Sequence, residues 1–192
     1  MMTPEYPNTI SQDESGRFLT LSNCLSIFRA ILAIPFAFVM LGETPGSRLW
    51  GGSIMVVAAM TDKFDGVLAR RYHQVTEWGK ILDPLADKIA VGAVAIVLLM
   101  LGDIPAWFVV SLLSRDVLIF AGGAFVKKKK GLLLQSNDAG KWAVGIVGLA
   151  LFLMVMNAGE TLVDIFVWAS VFLLIVSFVL YVTRFREVMG SA

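Results

Sequence analysis

Cysteine and histidine are almost absent from this chain. Each occurs once, as Cys24 and His73, in 192 residues. A lone cysteine excludes an intrachain disulfide and matches no metal motif, so Cys24 reads as a small buried side chain. His73 falls in a connecting turn and reads as a solvated residue, not a catalyst. Net charge is nearly absent too: 16 Lys and Arg face 15 Asp and Glu, a balance of +1 that points to no nucleic-acid partner. The opening MMTPEYPNTISQDESG is polar and acidic, without the basic start and apolar run of a secretory signal. No internal repeat and no low-complexity segment is visible.

Apolar residues are abundant. They make up 57% of the chain, and mean hydropathy is +0.77. Soluble domains carry about 45–50%. Apolar runs of roughly 20 residues recur, which predicts an all-α, polytopic integral membrane protein. A single domain fills 1–192, with a polar N-terminal segment at 1–16. Six spans are expected near 21–41, 49–68, 79–101, 107–126, 140–156 and 162–182. Pro35 is expected to kink the first span. Trp50, Trp78, Trp107 and Trp142 fall near span ends, as in an aromatic belt. Lys and Arg favour the cytoplasmic side. Arg70, Arg71 and Lys80 occupy one turn, Lys127 to Lys130 and Lys141 another, and Arg184 and Arg186 follow the last span. The alternate turns hold Arg48 but otherwise Glu43, Asp103 and Glu160. Both termini are therefore expected in the cytoplasm. The four lysines serve as a topological anchor, with anionic lipid headgroups as the alternative.

The chain is organised around TDKFDGVLARRYHQVTEWGKILDPLADKIAV, Thr61 to Val91. Asp62 and Asp65 share one face of a helix, as do Asp83 and Asp87, because positions three or four apart are neighbours. If the two segments fold back on each other, the four acids converge. Each Asp at a bilayer centre costs roughly 2.5–3.5 kcal/mol, so the set needs a counter-charge and a place near the interface. An all-oxygen cluster suits a hard ion such as Mg²⁺ or Mn²⁺. The plainer alternative pairs the acids with Lys63, Arg70, Lys80 and Lys88. Asn23, Ser26 and Arg29, at i, i+3 and i+6, form a polar stripe on the first span. Asn23 can be read as a helix cap and Arg29 as a snorkelling side chain, although Arg29 lies deep enough to need a partner.

Asp62, Asp65-Gly66, Ala69-Arg70, Gly79, Asp83 and Asp87 fit D-x2-D-G-x2-A-R-x8-G-x3-D-x3-D at every position. This resembles the signature of the CDP-alcohol phosphotransferases, integral membrane enzymes of phospholipid synthesis. The resemblance implies that Asp62, Asp65 and Asp83 hold a pair of divalent ions, with Asp87 as general base. It implies a nucleotide site at Asp62, Gly66, Ala69, Arg70 and Gly79, with Thr76 at a similar position. Gly66 and Ala69 also suit close helix packing, and Arg70 suits a phosphate. The implied donor is CDP-diacylglycerol, the implied acceptor a small alcohol and the implied assembly a homodimer; the expected compartment is a bacterial inner membrane, and the cationic turns put the site at its cytoplasmic face.

The Asn23-to-Pro35 opening, LDPLADK at Leu82 to Lys88, Arg115-Asp116 and Gly140-Lys141 are similar to the phosphatidylglycerolphosphate synthases of that family. This favours sn-glycerol 3-phosphate as acceptor, over inositol phosphate, serine or phosphatidylglycerol, with Arg29, Arg115 and Lys141 as acceptor-binding candidates. Two departures stand out. Trp142-Ala143-Val144 follows Gly140-Lys141, where such synthases continue with Lys and Thr, and Gly122-Gly123 replaces a further Arg. Arg115 and Asp116 are adjacent, about 100° apart on a helix, and are expected to pair poorly with each other. A reading of another class makes the acids a cation or proton relay in a transporter. It leaves the Gly66, Ala69, Arg70 and Gly79 spacing unexplained.

Overall fold

The computed structural model describes residues 20–42, 44–71, 79–131 and 138–190. Among them the chain forms α-helices and no strand: α1 (Leu21–Ile31), α2 (Ala33–Leu41), α3 (Ser47–Arg71), α4 (Gly79–Met100), α5 (Ala106–Lys130), α6 (Asp138–Val155) and α7 (Glu160–Gly190). Asn23–Leu41, Ala106–Lys129 and Glu160–Gly190 are long and apolar enough to cross a membrane, and Ala139–Val155 is a shorter apolar helix. The motif acids lie on α3 and α4.

The first expected span is two helices. Pro35 has no N–H, and its ring collides with the carbonyl four residues back, which is that of Ile31. The break falls there and not at Pro35 itself. Leu32 closes α1 by donating its N–H to Phe28 O at 3.0 Å. At the other end the cap is Thr20, whose hydroxyl accepts from the Asn23 N–H at 3.3 Å. Asn23 is thus the third residue of the helix and not its cap. Cys24 is exposed, contrary to the expectation of a buried thiol.

The chain divides into two compact units. One comprises 1–33 and 56–90, the other 34–55 and 91–192.

The second unit holds the apolar core, with Phe36, Met40, Leu98, Phe108, Val147, Leu151 and Val155 nearly inaccessible. Within it α5 and α7 run parallel in constant register. The Arg115 guanidinium donates to Ser177 Oγ, and Tyr181 Oη donates to Ile119 O, each across 62 positions. The same register brings Trp107 and Trp168 together at one end, with ring centroids 6.0 Å apart. It also puts Lys127 to Lys129 at the same end as Arg184 and Arg186. The lysine block is the last turn of α5, where cations complement the carbonyl end of the helix, and Gly131 closes it at φ 67°. Helix α7 outruns its expected end at 182: at 1.5 Å per residue it is about 46 Å long, well beyond a hydrocarbon core of about 30 Å.

Turn chemistry fixes the connections in this unit. After α4, Gly102 at φ 77° lets its N–H reach Leu99 O and the Asp103 N–H reach Leu98 O, at 3.1 and 2.9 Å. Asn157 plays the same part after α6 at φ 52°. Arg48 bonds Met154 O and Asp103 Oδ1, both at 3.1 Å, and so ties the start of α3 to the ends of α6 and α4. The outer faces are apolar, with Phe38, Phe120, Trp142, Trp168 and Phe172 all at least 64% exposed, as a lipid-facing surface requires.

Candidate active site

The site residues belong to the first unit. The helices α1, the part of α3 from Val56 and the part of α4 up to Ala90 build it. Among the described residues buried in this unit, Thr20, Asn23, Ser26, Arg29 and Thr61 are polar or charged, and Ala86 alone is apolar. The α1 stripe is therefore an inward face. Asn23, Ser26 and Arg29 are only 1%, 0% and 3% exposed.

Each acid whose side chain is described meets that stripe. Arg29 Nη1 donates to Asp62 Oδ1 at 2.6 Å and also to Asp87 Oδ1. Ser26 Oγ donates to Asp83 Oδ1. Asp62 and Asp87 remain half-exposed, at 53% and 46%, while the guanidinium is sealed. Asp62 of α3 and Asp87 of α4 thus converge on one positive charge, and Asp83 sits one turn back along α4. The cation that pairs with Asp62 and Asp87 comes from α1. The plainer alternative offered Lys63, Arg70, Lys80 and Lys88 as partners, and of these the side chains of Arg70 and Lys80 lie outside the described residues. Ser26 was visible only as a member of the stripe, and its spacing from Arg29 was the signal for its role.

Asp65, Gly66, Ala69 and Arg70 lie on the last turns of α3, with their side chains outside the described residues. Gly79 opens α4. Thr76, His73 and Trp78 lie outside the described residues. Among the described residues no three acids, histidines or cysteines close into a metal-holding group. The donor set nevertheless fits a hard divalent ion. It is all carboxylate and hydroxyl oxygen, and two carboxylates from different helices already point at one cationic nitrogen.

Two acceptor candidates lie in the second unit. The Arg115 Nη1 pairs with Asp116 Oδ1 at 2.8 Å, against the expectation from their angular separation. Both are largely buried, and a long arginine side chain folding back is favoured where water cannot compete. Arg115 also edges a cavity of about 280 Å³ lined by Ser111, Ser114, Leu118, Val171 and Phe178. Lys141, near the start of α6, is exposed.

Fold and site together define a multi-pass, all-helical membrane protein with an internal carboxylate–guanidinium cluster. Residues 19–177 match the family model for CDP-alcohol phosphatidyltransferase, and the chain belongs to that family. It is 31% identical over 191 residues to a "probable phosphatidylglycerophosphate synthase" of Mycobacterium tuberculosis (strain CDC 1551 / Oshkosh), covering 94% of this chain and 91% of that one. It is 35% identical over 165 residues to the CDP-diacylglycerol–glycerol-3-phosphate 3-phosphatidyltransferase of Bacillus subtilis (strain 168), covering 80% and 84%. A protein of the same name in Rickettsia bellii (strain RML369-C) is 34% identical over 165 residues, covering 82% and 90%. The family is generally divalent-metal dependent.

Proposed function

We propose that this protein is a phospholipid-synthesis transferase that moves a phosphatidyl group from CDP-diacylglycerol to sn-glycerol 3-phosphate, yielding phosphatidylglycerol phosphate and CMP. Family membership over residues 19–177, with relatives named for that reaction, carries the reading. The meeting of motif acids from α3 and α4 at α1 supports it.

In this reading Asp62, Asp65 and Asp83 hold the divalent metal, Mg²⁺ or Mn²⁺, as a pair of ions. When bound, the ions supply charge neutralisation on the pyrophosphate and on the departing CMP oxygen. Gly66 and Ala69 leave room for the cytidine diphosphate on the α3 face, with Gly79 and Thr76 beside it, and Arg70 grips a phosphate through its fork of donors. Asp87 takes the proton from the acceptor hydroxyl. The hydroxyl oxygen forms its bond to the β-phosphorus as the bond from that phosphorus to the CMP oxygen breaks. Arg115 and Lys141 bind the acceptor's phosphate.

The same reading makes residues 1–192 one catalytic domain with six spans in a bacterial inner membrane. The site faces the cytoplasm, where the nucleotide is, and the protein works as a homodimer. Lys127 to Lys129, Arg184 and Arg186 share one end of the second unit, which supports a cytoplasmic place for that end. The bacterial source of the relatives supports the compartment.

Radiolabelled CMP release from CDP-diacylglycerol, measured on purified protein with glycerol phosphate, inositol phosphate, serine and phosphatidylglycerol in turn, tests the acceptor. Release with glycerol phosphate is expected; none with it rejects the reading.

A further inference from the structure

We infer that Arg29 is a built-in counter-cation of the acid cluster, held between Asp62 and Asp87 and competing with divalent metal for Asp62, so setting how tightly metal is held. This rests on the metal-dependent reading above. The sequence alone made Arg29 an acceptor-binding candidate, but its geometry points inward. The side chain is 3% exposed, and one of its nitrogens serves carboxylates from two different helices. An arginine reaching for a soluble phosphate keeps its fork open; here Nη1 is spent on Asp62 and Asp87.

Two physical consequences follow. A carboxylate oxygen whose lone pair faces an N–H donor is less available to a metal, and a positive charge within contact distance repels an incoming divalent ion. Arg29 therefore stabilises the metal-free cluster, whose acids would otherwise repel one another, and weakens metal binding by the same interaction. Asp83 meets a different partner on α1, the neutral Ser26 hydroxyl. The α1 stripe thus divides the acids. Asp83 meets a neutral donor, whereas Asp62, a metal ligand in this reading, and Asp87, its base, share a charge that must release Asp62 before metal can take it. Arg29 acts through the carboxylates and is a positioning residue.

Mn²⁺ titration of the detergent-solubilised protein, following free Mn²⁺ by its paramagnetic resonance signal, tests this. Arg29→Gln should bind Mn²⁺ about tenfold more tightly than wild type or better, in the usual range of coupling between sites. Its metal-free melting midpoint should fall, and the rise on saturating Mn²⁺ should be larger than in wild type. Arg29→Lys keeps the charge but loses the fork, so it should fall between the two. Ser26→Ala should leave the Mn²⁺ affinity within about twofold of wild type, since it removes no charge. Should Arg29→Gln fail to fold without metal, the Lys variant carries the comparison, and no tightening in it overturns the inference. An unchanged or weakened Mn²⁺ isotherm in both variants also overturns it. So does a raised KM for glycerol phosphate with an unchanged isotherm, which returns Arg29 to the acceptor pocket. Wild-type protein that binds no Mn²⁺ would overturn the metal-dependent reading itself, and this inference with it.

Discussion

Gly122→Ala separates a close helix approach from a merely flexible residue. A Cβ at Gly122 would stand 2.7 Å from Tyr181 Oη, with Cε1 and Cζ of the same ring at 3.3 and 3.4 Å. The hydroxyl must retreat by roughly 0.7 Å to reach ordinary contact, but it is held by a 2.9 Å bond to Ile119 O. Breaking that bond costs about 1 kcal/mol and the steric strain about 1–3 kcal/mol, offset by up to about 1 kcal/mol from replacing a helical glycine. The net expectation is a loss of about 1–3 kcal/mol. The neighbouring glycine is the control. A Cβ at Gly123 would meet Tyr181 Oη at 3.7 Å, ordinary contact, so Gly123→Ala should be neutral or stabilising by up to about 1 kcal/mol. Unfolding in detergent, by heat or by SDS titration, measures both. Adding Tyr181→Phe to Gly122→Ala removes the 2.7 Å contact, and the double variant should recover part of the loss relative to Tyr181→Phe alone. Equal stabilities for the two alanine variants, or no coupling to Tyr181, would refute the packing argument. The result matters to the site candidates, because the adjacent turn of α7 carries Ser177, which accepts from Arg115 at 2.6 Å.

Asp87→Asn should abolish CMP release while leaving Mn²⁺ binding largely intact; full activity would refute the base assignment. Chelation by EDTA should stop CMP release, and added Mg²⁺ or Mn²⁺ should restore it, with persistent activity in EDTA counting against a metal requirement. Gly102→Ala places a side chain at φ 77° and should destabilise by about 1–2 kcal/mol, whereas Asn157→Gly, at φ 52°, should be neutral or mildly stabilising. Thermal unfolding reads both; an inert Gly102→Ala would contradict the left-handed turn. Arg48→Met removes bonds to Asp103 and Met154 O together and should cost about 2–3 kcal/mol, because charged hydrogen bonds are lost and Asp103 keeps a buried oxygen. A loss near zero would make the contact a surface ornament.

The all-helical class was legible from composition, and the acid-bearing helices from the motif. The break before α2 was legible in kind but not in place, since a proline disturbs the turn preceding it and not its own position. The ends of α5 and α7 were misjudged because apolarity was taken to mark the helix, while Lys127 to Lys130 and Arg184 to Gly190 continue the backbone pattern beyond the apolar part. The Arg115–Asp116 pair was dismissed on angular grounds that hold for short side chains in water and fail for a long one in a dry setting. The partner of the acids was missed for a different reason. Arg29 and Asp87 are 58 positions apart, and no local spacing rule links them. A buried polar stripe on an otherwise apolar helix was the available signal, and it demanded a polar partner without naming one.

The two units are held together by different forces, and this bears on what each can do. In the second, Phe36, Leu98, Phe108, Leu151 and Val155 supply packing that is indifferent to ions. Among the described residues of the first, those buried are Thr20, Asn23, Ser26, Arg29, Thr61 and Ala86, and the order these contribute rests on hydrogen bonds and charge. Such contacts are strong where water is scarce, yet each depends on a matching partner, and removing one side leaves a buried group unsatisfied. A charge-matched cluster therefore answers to an arriving cation, whereas an apolar core does not. An enzyme that must admit a metal and a nucleotide pyrophosphate needs the responsive kind of interior where its acids are and the unresponsive kind elsewhere. The distribution of buried residues among those described follows that division.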